Sequence, residues 1–262
     1  MATSTVSKYN DISAYNLIPN GIDTREMNGV YTPNQIVQTG LVYSYDPANP
    51  SSYAGTGTTI YDLKGSGDMT LYGGVESSYD QNGWFNFDDV NDAIYRTGVT
   101  TISGDQSLGG WYRVTGDNDF YQMFAGILGS GLEGIQVYYN CAGTNESFFS
   151  RIEDGLGNPE AVRIDPVVFT PSFNTWYYVC GAWDNTSHTI THYVFDSGGL
   201  VGTVSQTDLT VDTTNTTSAN IIMGDGTYRA YGDVGEMHIY NEVLSQADFT
   251  TNYNNTKARY GY

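Results

Sequence analysis

Positive charge is scarce in this chain. Lys and Arg total 10 against 29 Asp and Glu, for a formal charge of −19. Phosphate backbones are bound by Lys and Arg that displace counterions, and anionic membranes attract the same residues. Nucleic acid and membrane are therefore both poor partners. Cysteine is nearly missing: Cys141 and Cys180 are too few for a disulfide framework. Each stands in or beside a strand-like run and reads as a buried free thiol, with one bridge as the alternative. The three histidines are His188, His192 and His238. His188 and His192 would sit roughly 13–14 Å apart on an extended strand, too far to share a metal ion, so surface or sheet-face positions are expected. No hydrophobic run is long enough to span a bilayer, and residues 1–20 hold no apolar signal-peptide core. The expectation is a soluble product made in the cytoplasm. Glycoside hydrolysis needs two carboxylates flanking the scissile bond. Glu153 and Asp154 are adjacent and would point to opposite strand faces, and Glu236 has no acid two residues away. An enzyme is not expected. No repeat of solenoid period is present.

Turn formers and β-formers are plentiful, with 31 Gly and 23 Tyr. From Leu41 onward, short strand-like runs alternate with Gly, Asn and Asp clusters. Strands are expected at Leu41–Tyr45, Trp84–Asp88, Ala93–Arg96, Trp111–Val114, Gln122–Ile127, Ile135–Tyr139 and Phe148–Ile152. Further ones are expected at Trp176–Trp183, Thr189–Asp196, Leu200–Val204, Asn220–Met223 and Val234–Tyr240. This spacing without intervening helices predicts an all-β antiparallel jelly-roll sandwich. The run Trp176–Trp183 is apolar on both faces, so it should be central with its second face partly covered. One helix is expected near the end: Ser245 is a good N-cap, Asp248 follows three residues later, and Phe249 and Tyr253 are one turn apart. Lys257 would lie near the negative end of its dipole.

Residues 1–38 differ, with Pro19, Pro33 and little alternation. They read as an extended N-terminal arm, and residues 39–262 as the jelly-roll domain. The arm is either a loose terminus or a docking segment whose anchors would be Tyr9, Ile12, Tyr15, Leu17 and Ile18.

Several stretches together resemble the laminin G-like, concanavalin A-like lectin jelly roll. LVYSYDPANPSSYAGTGTTIYDL from Leu41 is similar to the family's opening strand and loop, with Tyr61 in a Trp place. WFNFDDVNDAI from Trp84 is similar to its second strand and turn. Thr175–Val204 resembles T-W-Y-H-V-A-G followed by a hairpin, and Met223–Tyr240 resembles G-x-I-G-E-V-R-I-Y-N. The last stretch, Glu242–Tyr262, resembles the family's closing helix. Two departures affect turns: Asp89 stands where Gly is frequent, and Asp196-Ser197-Gly198-Gly199 replaces Asn-Gly. The closing helix looks like versions in virion proteins of tailed bacteriophages.

The resemblance implies a non-enzymatic structural and recognition module. The leading expectation is a virion-surface protein, a head decoration or tail-associated subunit, held in a larger assembly by other virion proteins through residues 1–38. The alternative is an adhesin binding host surface glycans, with a glycan-degrading enzyme behind it. The resemblance also implies Ca²⁺ held by loop aspartates, for which Asp88, Asp117, Asp119, Asp225 and Asp233 are candidates; Asx-turn chemistry explains the same residues without metal. Sugar or partner binding needs exposed aromatics beside polar groups, and Asp225, Tyr228, Arg229 and Tyr231 in Gly224–Gly232 fit. Trp111, Trp176 and Trp183 read as core.

Overall fold

A computed structural model of the chain describes residues 36–262, apart from 66, 76–78, 81–82, 100–101, 118–120, 130–133, 142–145, 154–159, 164–167, 214–218 and 225–228. The arm anchors Tyr9, Ile12, Tyr15, Leu17 and Ile18 lie outside the described residues.

Two antiparallel sheets of eight strands each face one another. In chain order the strands are β1 (Leu41–Tyr45), β2 (Thr59–Ile60), β3 (Met69–Tyr72), β4 (Tyr79–Asp80), β5 (Trp84–Asp88), β6 (Ala93–Val99), β7 (Gln106–Val114) and β8 (Tyr121–Gly129). They continue with β9 (Gly134–Asn140), β10 (Ser147–Glu153), β11 (Glu160–Arg163), β12 (Trp176–Asp184), β13 (Thr189–Asp196), β14 (Gly199–Gln206), β15 (Ala219–Met223) and β16 (Tyr231–Tyr240). The first sheet runs β14-β13-β12-β7-β16-β5-β4, with β1 also on β16; the second runs β11-β10-β9-β8-β15-β6-β3-β2.

Alternation places one side chain set between the sheets. Phe85, Phe87, Tyr112, Val179, Trp183, Ile190, Val194 and Ile239 meet Phe124, Ile127, Ile135, Val137, Tyr139 and Phe148 there. His192 is also fully buried, its Nδ1 2.8 Å from Ser150 Oγ. His238 is equally buried, with Nδ1 3.1 Å from Ser44 Oγ. Of the two positions expected, surface or sheet face, both histidines take a sheet face, His192 on β13 and His238 on β16. His192 finds a hydroxyl on the facing sheet and His238 one on the neighbouring strand β1, which sequence spacing does not reveal.

The outward face of the first sheet carries a second apolar cluster. Helix α1 (Gln246–Thr256) lies on it, followed by a 3₁₀ turn (Lys257–Tyr260). Ser245 forms the expected cap, completed by Asp248 as a capping box. Phe249 and Tyr253 pack on Tyr193 and Phe195, and Trp111 stacks on Tyr260 at 4.3 Å. Trp111 also donates its indole N–H to Thr256. This cover explains why β12 is buried on both faces through Trp183. Ile36 belongs to the same cluster, and Val37 donates its N–H to Asn252. The chain is thus already packed at positions grouped with the arm by composition.

Candidate functional site

α1 and the tail cover only part of that outward face. Beyond them, β5, β16, β7 and β12 bring one residue each into a single cross-strand row: Asn86, Asp233, Arg113 and Trp176. At about 4.8 Å per strand the row is roughly 14 Å wide. Trp84 precedes Asn86 on the same face, and Asp88 follows it opposite Tyr231. Their inward neighbours Phe85 and Phe87 are buried in the core, which fixes Trp84, Asn86 and Asp88 outward.

Arg113 organises the row. Its guanidinium lies 5.1 Å from the centroid of a Trp84 ring and 4.9 Å from that of Trp176. The two indoles meet edge to face at 5.3 Å. Arg113 Nε donates to Asp233 Oδ2 at 2.6 Å, and Asn86 Nδ2 donates to Asp233 Oδ1 at 2.8 Å. A charge-assisted bond on one side and π-faces on two others hold the arginine in one pose.

Tyr231 forms the end of this shelf and is 38% exposed. Its ring lies over Gly116, and a Cβ there would have to push the ring aside. Gln122 ties the corner together: Oε1 accepts from Tyr231 N–H at 2.9 Å, and Nε2 donates to the Gly116 carbonyl at 2.8 Å. Asp88 Oδ1 accepts the Val90 N–H in an Asx turn. Asp89 adopts φ 64°, a conformation glycine takes freely and aspartate tolerates, which accounts for its standing in a glycine place. Arg229 lies 3.9 Å from Asp89 and donates to the Val90 carbonyl at 3.3 Å.

The structure thus brings together Arg229, Tyr231, Asp88 and Asp233 of the expected site residues, and adds Trp84, Asn86 and Arg113. Asp225, Tyr228 and Asp119 lie outside the described residues. Tyr231 opens β16 and is not a loop residue as expected, because it pairs with Asp88. Trp84 and Arg113 carried no signal of their own: a strand tryptophan and a strand arginine become a site only through register.

The described donors do not fit calcium, which wants about 6–8 oxygens with several carboxylates among them. Asp233 is neutralised by Arg113, and Asp88 Oδ1 closes its own turn. Asp92, between them in the loop, accepts the N–H groups of Gly74 and Asp88, and burial raises its carboxyl above the ordinary range. Asp117 is exposed, and among the described residues no three His, Cys, Asp or Glu side chains gather as a metal group.

A second polar group lies under the 3₁₀ turn. Arg259 bridges Asp46 at 2.8 Å and Glu236 at 3.4 Å, and His238 Nε2 stands 3.7 Å from Glu236. Burial pushes Asp46 up, and Arg259 pulls it back only in part. Burial pushes Glu236 up too, but Arg259 and then His238 outweigh it and leave it below the usual range. Both carboxylates are fully buried, so the group serves as a clamp on the C-terminal tail.

Residues 81–249 match the family model of the concanavalin A-like lectin/glucanases superfamily. No curated protein matches the sequence. Among solved structures, the receptor-binding domain of botulinum neurotoxin C/D mosaic serotype is similar, with TM-score 0.60 and 15% identity over 83% of this chain and 51% of that one. The botulinum neurotoxin type G receptor-binding domain follows with TM-score 0.53 and 12% identity, over 82% and 51%. The serotype D ligand-binding domain in complex with N-acetylneuraminic acid gives TM-score 0.53 and 11% identity, over 83% and 51%. The chain therefore spans about half the length of these structures, and at such identities the likeness is one of fold. Together with the strand order, the family match over more than half its length places the chain in the concanavalin A-like lectin/glucanase superfamily.

Proposed function

We propose that the chain is a non-catalytic carbohydrate-binding module that takes a glycan on the shelf of Trp84, Asn86, Asp88, Arg113 and Tyr231. The observation that carries this reading is the uncovered end of the sheet face, where Trp84 and Asn86 are partly exposed and Asp88 and Tyr231 are exposed, while Asp233 and Trp176 of the row are buried. Aromatic faces stand beside fixed hydrogen-bonding groups on a rigid four-strand platform, which is what a sugar's apolar face and hydroxyl rim require. Rigidity matters because a pre-ordered surface loses little entropy on binding. Support comes also from the family, and from the similar neurotoxin domain that carries a sugar in its solved structure. The virion-surface expectation rests on residues 1–38, the acidity and the closing helix, and the fold comparisons lend it no support.

A glycan array probed with the full chain, in calcium and in EDTA, tests the proposal. Binding to a defined oligosaccharide class in both conditions, lost in Trp84→Ala and Tyr231→Ala, is expected. Folded protein that binds no glycan in either condition, or variants that bind as well as the parent, would overturn it.

A further inference from the structure

We infer that the shelf selects neutral, hydroxyl-rich glycans and rejects those bearing carboxylate or sulfate groups; this rests on the glycan-binding reading above. Recognition of an acidic sugar is strongest where a cation can turn to it. The segments entering and leaving the shelf strands, 73–92, 115–122 and 224–234, hold a single Lys or Arg, Arg229, against nine Asp or Glu. Arg229 is engaged by Asp89 and by the Val90 carbonyl. Arg113 is the one cation within the row. Its Nε is bonded to Asp233, its flat faces lie against Trp84 and Trp176, and its partner carboxylate is only 1% exposed. Arg113 is therefore committed to the protein's own oxygen, while Arg229, 45% exposed, shares its charge with Asp89 and is outnumbered by the surrounding carboxylates.

What the shelf offers outward is of the opposite kind. Asp88 is exposed beside Tyr231, and Asp117 is exposed next to Gly116, over which the Tyr231 ring lies. A carboxylate acceptor pairs well with sugar hydroxyl donors and repels an anion. The whole-chain charge of −19 adds a long-range term of the same sign. A neutral ligand brings hydroxyls to Asp88 and Asn86 and a ring face to Tyr231 without meeting this repulsion.

The test compares matched oligosaccharides, one neutral and one carrying a terminal N-acetylneuraminic acid, by isothermal calorimetry with the full chain. The neutral sugar should bind with an affinity that changes less than about twofold as salt rises from ~50 to ~500 mM, because no ion pair is screened. The acidic partner should bind at least roughly fivefold more weakly at low salt, the size of one unscreened like-charge contact in water. Asp89→Asn keeps the left-handed backbone and releases Arg229 from this partner, so it should recover acidic binding by a similar factor. Equal or tighter binding of the acidic sugar, weakening with salt, would overturn the selectivity and leave glycan binding standing. Binding of neither sugar class across an array would overturn both.

Discussion

The outward face of the first sheet divides into two halves built from the same strands. In one, Trp111, Tyr178, Tyr240, Glu236 and His238 are sealed beneath α1 and the tail. In the other, two residues along, Trp84, Asn86, Asp88 and Tyr231 remain reachable from solvent. Each half is centred on an arginine between aromatic rings and carboxylates. Arg259 is 7% exposed and answers two acids; Arg113 is 25% exposed and answers one. The same chemistry is a structural clamp where it is covered and a recognition surface where it is not. What lies over a sheet row decides its role more than the residues in it.

The largest effect should come from breaking the covered half. Arg259→Ala leaves Asp46 and Glu236 buried without their cation, at a cost of about 3–5 kcal/mol in urea unfolding. A cost below about 1 kcal/mol would show that the clamp is ornamental and that the two halves do not differ in this way.

Acid should reveal that neither half dominates pH sensitivity. Asp46 is raised, so its stabilising term is present at low pH and lost as pH rises; Glu236 is lowered, so its term runs the other way. The two oppose each other. His192, between the sheets, is lowered by burial to about 3. Its contribution is present above the ordinary histidine value near 6.5 and is lost as pH falls from there towards 3. Stability should fall by about 1.4 kcal/mol per pH unit in that window. The slope should flatten in His192→Gln, measured by urea titrations at several pH values; an unchanged slope would shift the blame to the clamp.

Smaller still, Ser245→Ala removes the helix cap and should cost about 1 kcal/mol by thermal melting. The smallest effect on stability is expected on the open half. Tyr231→Ala should stay within about 0.5 kcal/mol of the parent, as exposed substitutions do. Yet glycan affinity should fall more than tenfold, as for a recognition aromatic worth roughly 2 kcal/mol. A large loss of stability without loss of binding would reverse the contrast between the halves.

Much of this was readable in the chain. The bounds of β1, β5 and β13 follow from alternation alone, and the helix start from Ser245 and Asp248, because both signals are local. The short strands β2, β3, β4 and β11 were not read, since two to four residues carry too little period and gain their order from a partner. Tyr231, Arg229 and Asp88 were singled out as polar and aromatic groups near turns. Arg113 and Trp84 were not, nor was Arg259 as a clamp, because their partners lie up to 213 positions away, as Arg259 does from Asp46.

By itself, then, the sequence determined the strand periodicity, the capped closing helix, the acidic character and the absence of a paired-carboxylate strand motif, all properties of neighbouring residues or of composition. Only the tertiary structure decided which rows align and which half of a sheet face stays open. Register sums weak pairings over strands far apart in the chain, and a shift of one residue would turn every shelf side chain into the core.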